Sequence, residues 1–356
     1  MPTLKKRNKT FKVRIGKIEI GDGNPVAVQS MTKTDTADVA ATVSQIKELE
    51  AAGCQIVRCA VPDEKAAYAL GEIKKKISVP LVADIHFNHK LALIAAEMGV
   101  DKLRINPGNI GDEAKVKAVV SAARARGIPI RIGVNSGSLE KEIKQKYKHV
   151  TAEALVESAM NNVKTLEKLD FRDIVISIKA TSVVMTIEAY RMIAKKVKYP
   201  LHIGITESGI PRIGTVRSSV GIGILLAEGI GDTLRVSLTG DPVEEVRVGY
   251  EILKSLEMAE RGVTVISCPT CGRCDINVEK IASEVVENTR HIRQPMRVAI
   301  MGCEVNGPGE AADADVGLAG GRGIGLIFRE GKVVKQVPEA EMVEALLDEI
   351  ESMVIK

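Results

Sequence analysis

Tryptophan is absent from this 356-residue chain, and aromatic residues make up only 3% of it. So few flat rings leave little to stack on bases, which argues against nucleic-acid recognition, and the net charge of +4 is small for the length. No uninterrupted apolar run approaches the roughly 20 residues that a membrane helix needs. Residues 1–12 are basic and polar and lack the apolar stretch of a secretory signal. These absences predict a cytoplasmic protein that neither spans a membrane nor binds nucleic acid. Cysteine is sparse too. Six in so long a chain do not make a disulfide scaffold, which leaves metal binding or catalysis.

What is present is a repeating pattern. Across residues 24–256, short β-branched runs (PVAVQS, QIVRCA, LVADIH, DKLRIN, IPIRIGVN, DIVISIKA, PLHIGIT and DTLRVSL) alternate with longer amphipathic stretches. Helical stretches end in glycine, as at Gly53, or run into proline, as at Pro80 and Pro129. Eight strand–helix units in succession predict parallel pairing and a TIM (β/α)8 barrel, with an open doubly wound sheet as the rival. FKVRIGKIEIGDG, before the first strand, reads as a hairpin with an Asp-Gly turn that plugs the barrel floor. The length exceeds one compact core. The pattern changes near residue 260, which predicts a barrel domain over residues 1–260 and a small α/β domain over 261–356. Within the second, GLAGGRGIG looks like a dinucleotide loop, but the strand LIF follows it and no helix does, so it reads as a turn between strands.

Arg58, Arg104, Arg131, Lys179, His202 and Arg235 fall in six different strand candidates among apolar neighbours. Barrel active sites gather where strands end, so these groups converge on one mouth. Buried cations need anions, and Asp84 and Glu207 are too few to supply them. The remainder points to an anionic ligand such as a diphosphate or sugar phosphate, which arginine meets with a forked pair of donors. His86, Asn106 and Asn135 add neutral hydrogen-bonding groups at other strand ends. Glu207 directly follows the run HIGIT, where a carboxylate has the chance to donate a proton.

Cys268 and Cys271 form a C-x2-C turn after one strand, and Cys303 ends the next. Thiolates suit an iron–sulfur cluster or zinc, and with Cys274 four cysteines are available to close a zinc site. Glu310, beyond VNGPG, is a candidate oxygen ligand. Cys54 and Cys59 flank the second strand at a spacing unlike a tight chelate and read as small buried hydrophobes.

The segments VAVQSMTKTDT, RINPGN, GVNSGSL, SIKA, HIGITE, GIGDTLRVSLTGDP, CPTCGR and GCEVNGPGE together resemble the 4-hydroxy-3-methylbut-2-enyl diphosphate synthases over nearly the whole chain. The resemblance implies a TIM barrel joined to a domain similar to those of sulfite reductases, holding a [4Fe–4S] cluster through Cys268, Cys271, Cys303 and Glu310. It implies a cyclic diphosphate substrate bound by Arg58, Arg104, Arg131 and Lys179, and Glu207 as proton donor. It also implies electrons from reduced flavodoxin or ferredoxin, and a head-to-tail homodimer. Three residues depart from the family pattern: Lys33 stands where Asn is expected, Ser208 where Ala is common, and Cys274 offers a further thiolate that reads as a bystander. The alternative is a non-redox phosphosugar lyase or aldolase barrel with an appended structural metal domain, Lys179 serving as Schiff-base nucleophile.

Overall fold

The structure, a computed structural model, describes residues 4–303 and 313–354. It divides into two units, Met1–Ala259 and Glu260–Lys356.

The first unit opens with a hairpin, β1 (Val13–Ile15) and β2 (Ile18–Ile20). Eight parallel strands follow: β3 (Ala27–Met31), β4 (Ile56–Ala60), β5 (Leu81–Asp84), β6 (Lys102–Ile105), β7 (Ile130–Asn135), β8 (Ile174–Lys179), β9 (His202–Ile203) and β10 (Thr233–Leu234). Their order is β8-β7-β6-β5-β4-β3-β10-β9, and a parallel bridge between Ile176 and Leu201 joins β8 to β9. The ring is thereby closed into a TIM barrel, and the open-sheet rival falls. Helices start where the sequence supplies a short polar cap. Asp38, Asp63, Asn88, Asp112, Thr151, Ser182 and Asp241 each accept a hydrogen bond from a backbone N–H in the first turn. The helices Val39–Ala52 and Glu113–Arg126 stop at Gly53 and Gly127, both left-handed.

Alternation sends every second strand residue outward. Val57, Leu81, Leu103, Ile130, Ile132, Ile174 and Ile176 pack under the helices in the main apolar core. The inward set differs with depth. At the floor, Val13, Ile15 and Ile20 of the hairpin pack with Ala27, Ile56, Val82 and Val175 of the barrel. Above that floor the lumen is polar. The hairpin turn, however, is Gly16–Lys17 and not Asp-Gly: Ile15 pairs with Ile18 across it, and Asp22–Gly23 follows β2. A two-residue hairpin loop needs positive φ, and Gly16 supplies it at +54°.

The second unit is a five-stranded sheet in sequence order: β11 (Val263–Ser267), β12 (Met296–Met301), β13 (Val316–Gly320), β14 (Ile324–Arg329) and β15 (Lys332–Pro338). The first three strands are parallel and the last two antiparallel. GLAGGRGIG is a turn between antiparallel strands, with Gly320 paired to Gly325. The helices Val278–Asn288 and Met342–Ser352 cover an apolar core that includes Val285, Val298, Leu318 and Leu346. Pro338 closes β15, and the last helix begins at Met342. No described helix is long and apolar enough to cross a membrane.

Because Ile15 is fully buried in the floor, Ile15→Ala is expected to destabilise the barrel by about 2–5 kcal/mol. The urea midpoint of the barrel transition measures it, and a loss below about 0.5 kcal/mol, typical of surface positions, would show that the hairpin is no plug.

Candidate active site

The lumen above the hairpin is lined by side chains whose inward direction follows from register. Asp84, Arg104 and Arg131 are paired in one row across β5, β6 and β7, and Asn135 pairs with Lys179 nearer the strand ends. Glycines make room for them. A Cβ on Gly133 would come within 2.3 Å of Arg104 Nε, and one on Gly204 within 2.4 Å of the Arg235 carbonyl oxygen and 3.1 Å of Lys179 Nζ.

Two carboxylates face this group. Asp84 accepts from Arg104 at 2.9 Å and lies 3.5 Å from Arg58 Nε. Glu245, on the helix Pro242–Ser255, accepts from Arg235 Nε and Nη2 at 3.2 Å each, from Ser30 Oγ at 3.0 Å and from the Leu238 amide at 3.1 Å. Among the described residues no carboxylate is within ion-pair distance of Lys102, Arg131 or Lys179. The Nε and Nη1 of Arg131, Nζ of Lys102 and Nε2 of His202 are buried without hydrogen-bond partners among the described residues. The chamber therefore holds more cation than its own acids balance.

The electrostatics agree with the geometry. Burial pushes the Asp84 carboxyl upward, but Arg58, Arg104 and Arg131 together outweigh it and hold the group well below the usual carboxylate range. Burial lowers Arg58 to about 10, against the partial support of Asp84. Burial and then neighbouring cations push Arg131, Lys179 and His202 well below their ordinary values. His86 is half-buried and lowered by burial and by Arg104, whose Nη1 lies 2.7 Å from its Nε2.

Other expected residues sit differently. Asn106 caps its own turn, its Oδ1 accepting from the Gly108 amide at 3.1 Å, while its Nδ2 is buried and unpartnered. Asn135, with its amide turned to suit its neighbours, accepts from Arg104 Nη2 at 3.2 Å. His202 reaches Thr233 Oγ1 through Nδ1 at 2.7 Å. Glu207 does not balance the buried cations. It is exposed, its Oε2 accepts from Thr181 Oγ1 at 3.1 Å, and its backbone is left-handed at φ +52°. The acid that balances Arg235 is Glu245, which sequence reasoning missed. Its signal was present, since helical spacing sets it on the apolar face with Pro242, Gly249 and Ile252. Lys102 was missed as well, although it lies two residues before Arg104 on the same strand face. Lys33 Nζ donates to the Leu238 and Gly240 carbonyls and lies 3.4 Å from Glu245. Ser208 is buried, its hydroxyl donating to Ile205 O at 3.2 Å.

In the second unit, β11 and β12 are parallel neighbours with Ser267 opposite Ile300, so the turns that follow them lie side by side. Cys268, Cys271 and Cys303 line one pocket there, with Thr270, Arg273, Met301 and Gly302. The Gly302 amide donates to Cys268 Sγ at 3.3 Å. Cys274 is not in the pocket lining. Its thiol donates to the Ile276 carbonyl at 3.1 Å, and a Cβ on Gly302 would come within 2.4 Å of its Sγ. Soft sulfur donors around a recess fit a metal–sulfur group, although among the described residues no three His, Cys, Asp or Glu side chains converge on a single-ion position. Glu310 lies outside the described residues. Cys54 and Cys59 are buried in the barrel core, and burial pushes their thiols up to about 12 and about 11.

Comparison with known proteins bears on both units. The GcpE TIM-barrel domain matches residues 10–250, and the GcpE protein C-terminal domain matches residues 264–352. The chain belongs to the GcpE family. A GcpE relative from Caldanaerobacter subterraneus subsp. tengcongensis is 60% identical over 99% of both chains, and one from Geobacter sulfurreducens is 59% identical over 97% of this chain and 98% of its own. Both carry the curated name 4-hydroxy-3-methylbut-2-en-1-yl diphosphate synthase (flavodoxin). Among solved structures, dihydropteroate synthase from Stenotrophomonas maltophilia superposes with a TM-score of 0.51 at 13% identity, over 69% of this chain and 98% of that one. At that identity the likeness shows the barrel fold alone.

Asp84 is the carboxylate that Arg58 and Arg104 share, so Asp84→Asn is expected to cost about 3–5 kcal/mol at pH 7, the penalty for stranding buried charge. A depressed carboxyl stabilises the fold above its unfolded value near pH 4 and loses that contribution as pH falls toward the folded value. Urea unfolding of the two proteins should therefore differ most near neutrality, with the gap narrowing below about pH 4. A pH-independent gap would contradict the pairing.

Proposed function

We propose that this GcpE chain opens the ring of 2-C-methyl-D-erythritol 2,4-cyclodiphosphate reductively and removes water, giving (E)-4-hydroxy-3-methylbut-2-enyl diphosphate for isoprenoid precursors by the methylerythritol phosphate route. It is an oxidoreductase, and the names of its relatives do not favour the lyase or aldolase alternative. The observation that carries this reading is the excess of buried cation in the barrel lumen. A diphosphate supplies the missing negative charge, and forked guanidinium donors match its oxygens.

Arg58, Arg104, Arg131 and Lys179 would hold the diphosphate, with Arg235, His86, His202, Asn106 and Asn135 around it. Asp84 keeps the first two arginines oriented before substrate arrives. Glu207, exposed and held by Thr181, would deliver a proton to the opening ring. Its backbone, in a conformation unusual for a side-chain-bearing residue, is consistent with a position fixed by function. When bound, a [4Fe–4S] cluster held by Cys268, Cys271, Cys303 and Glu310 supplies two electrons one at a time and a Lewis-acidic iron. The donor named for the relatives is flavodoxin, and ferredoxin is the other candidate. The head-to-tail homodimer belongs to the same proposal. Residues 1–260 would then bind substrate, and 261–356 the cluster.

Protein purified without oxygen is expected to be brown and to turn over the cyclic diphosphate with a low-potential reductant. Colourless protein with stoichiometric zinc would overturn the proposal. Cys274→Ser should keep iron, sulfide and the visible absorption band, whereas Cys303→Ser should lose all three. The reverse outcome would reassign the ligands.

A further inference from the structure

Lys102 is a cation of the chamber that the proposed reaction leaves without a task. It precedes Arg104 by two residues on β6 and so shares its inward face. Its register partner is Val82, part of the apolar floor, and Val82 in turn pairs with Arg58 of β4. The side chain is fully buried and Nζ has no hydrogen-bond partner among the described residues. The packed hairpin residues Val13, Ile15 and Ile20 beneath it are apolar. The charged groups acting on Lys102 are Arg131 of β7 and Arg58, both cations. Its field also reaches His202 of β9, together with those of Arg131, Lys179 and Arg58. Two of these neighbours carry orphaned nitrogens of their own, Nε and Nη1 on Arg131 and Nε2 on His202.

Unpartnered nitrogens from three strands thus face the lumen, and nothing among the described residues satisfies them. A buried ammonium without a counter-charge is costly, and an anion seated there would remove the cost. We propose that Lys102, with His202 and the unpartnered edge of Arg131, forms a deep anion subsite that takes a phosphate oxygen of the diphosphate from below. This rests on the diphosphate reading above and deepens it. Burial, then Arg131 and Arg58, hold the Lys102 ammonium well below its usual range. An entering anion reverses that, so binding draws a proton onto the amine. His202 and Lys179 are lowered too and add uptake of their own. The Lys102 share is therefore read by difference.

The test is calorimetric titration of cluster-loaded protein with inorganic pyrophosphate, between about pH 7 and about pH 9, in buffers of different ionisation enthalpy. Lys102→Met should take up fewer protons on binding, by up to about one per chain, and bind at least about tenfold more weakly, as the loss of one charge-assisted hydrogen bond implies. Its melting temperature without ligand should rise by about 2–4 °C, because the unpaired amine is gone. Lys102→Gln serves as the second variant under the same titration should the first fail to fold. Unchanged affinity and proton count would place Lys102 outside the anion site while leaving the diphosphate reading intact. Failure of the wild type to bind either pyrophosphate or the cyclic diphosphate would remove both.

Discussion

Burying more positive than negative charge inside a closed barrel is the constraint that the rest of this structure answers. Each cation on an inward strand position loses its hydration, and Asp84 and Glu245 restore counter-charge to only some of them. The scaffold carries the imbalance because its apolar core lies elsewhere, between the strands and the helices, where it gains stability from burial independent of the lumen. The hairpin packs under the lumen from below, so the polar chamber has an apolar floor. Gly133 and Gly204 then leave the width that Arg104 and Lys179 need. A larger residue at either place would push a charged side chain out of its row.

The second unit solves a different problem with the same element, a parallel strand pair. Neighbouring parallel strands end together, so the turns after β11 and β12 deliver cysteines that are far apart in sequence to one pocket. Gly302 is the pivot. A Cβ there would meet Cys274 Sγ at 2.4 Å and Cys268 Sγ at 3.3 Å, so only a bare Cα leaves both sulfurs in place. The glycine also parts them by role. Cys268 accepts its amide hydrogen, and Cys274 spends its own on a carbonyl.

Much of this was legible in the sequence because it rests on period and punctuation. Strand alternation, short polar caps and glycine stops marked the eight units, and the paired cysteine turns marked the second sheet. What escaped depended on depth or on partners distant in sequence. Glu245 looks like an ordinary helix acid until its spacing is compared with the buried face. Lys102 stands two positions from Arg104 but resembles any lysine at a strand start. The hairpin turn was misplaced because Asp-Gly is the commoner signal, whereas the cross-strand pairing of Ile15 with Ile18 selected Gly16–Lys17. Glu207 was expected among the cations, but the left-handed turn after β9 carries it out to the mouth.

The claim that the lumen is an incomplete ion cluster, finished by the substrate's phosphates, is tested most directly by thermal unfolding with matched ligands. The cyclic diphosphate should raise the melting temperature of cluster-loaded protein in proportion to the logarithm of its concentration above saturation, whereas 2-C-methylerythritol, the same carbon skeleton without phosphate, should leave it unchanged. Equal stabilisation by both compounds, or none by the diphosphate, would contradict the account.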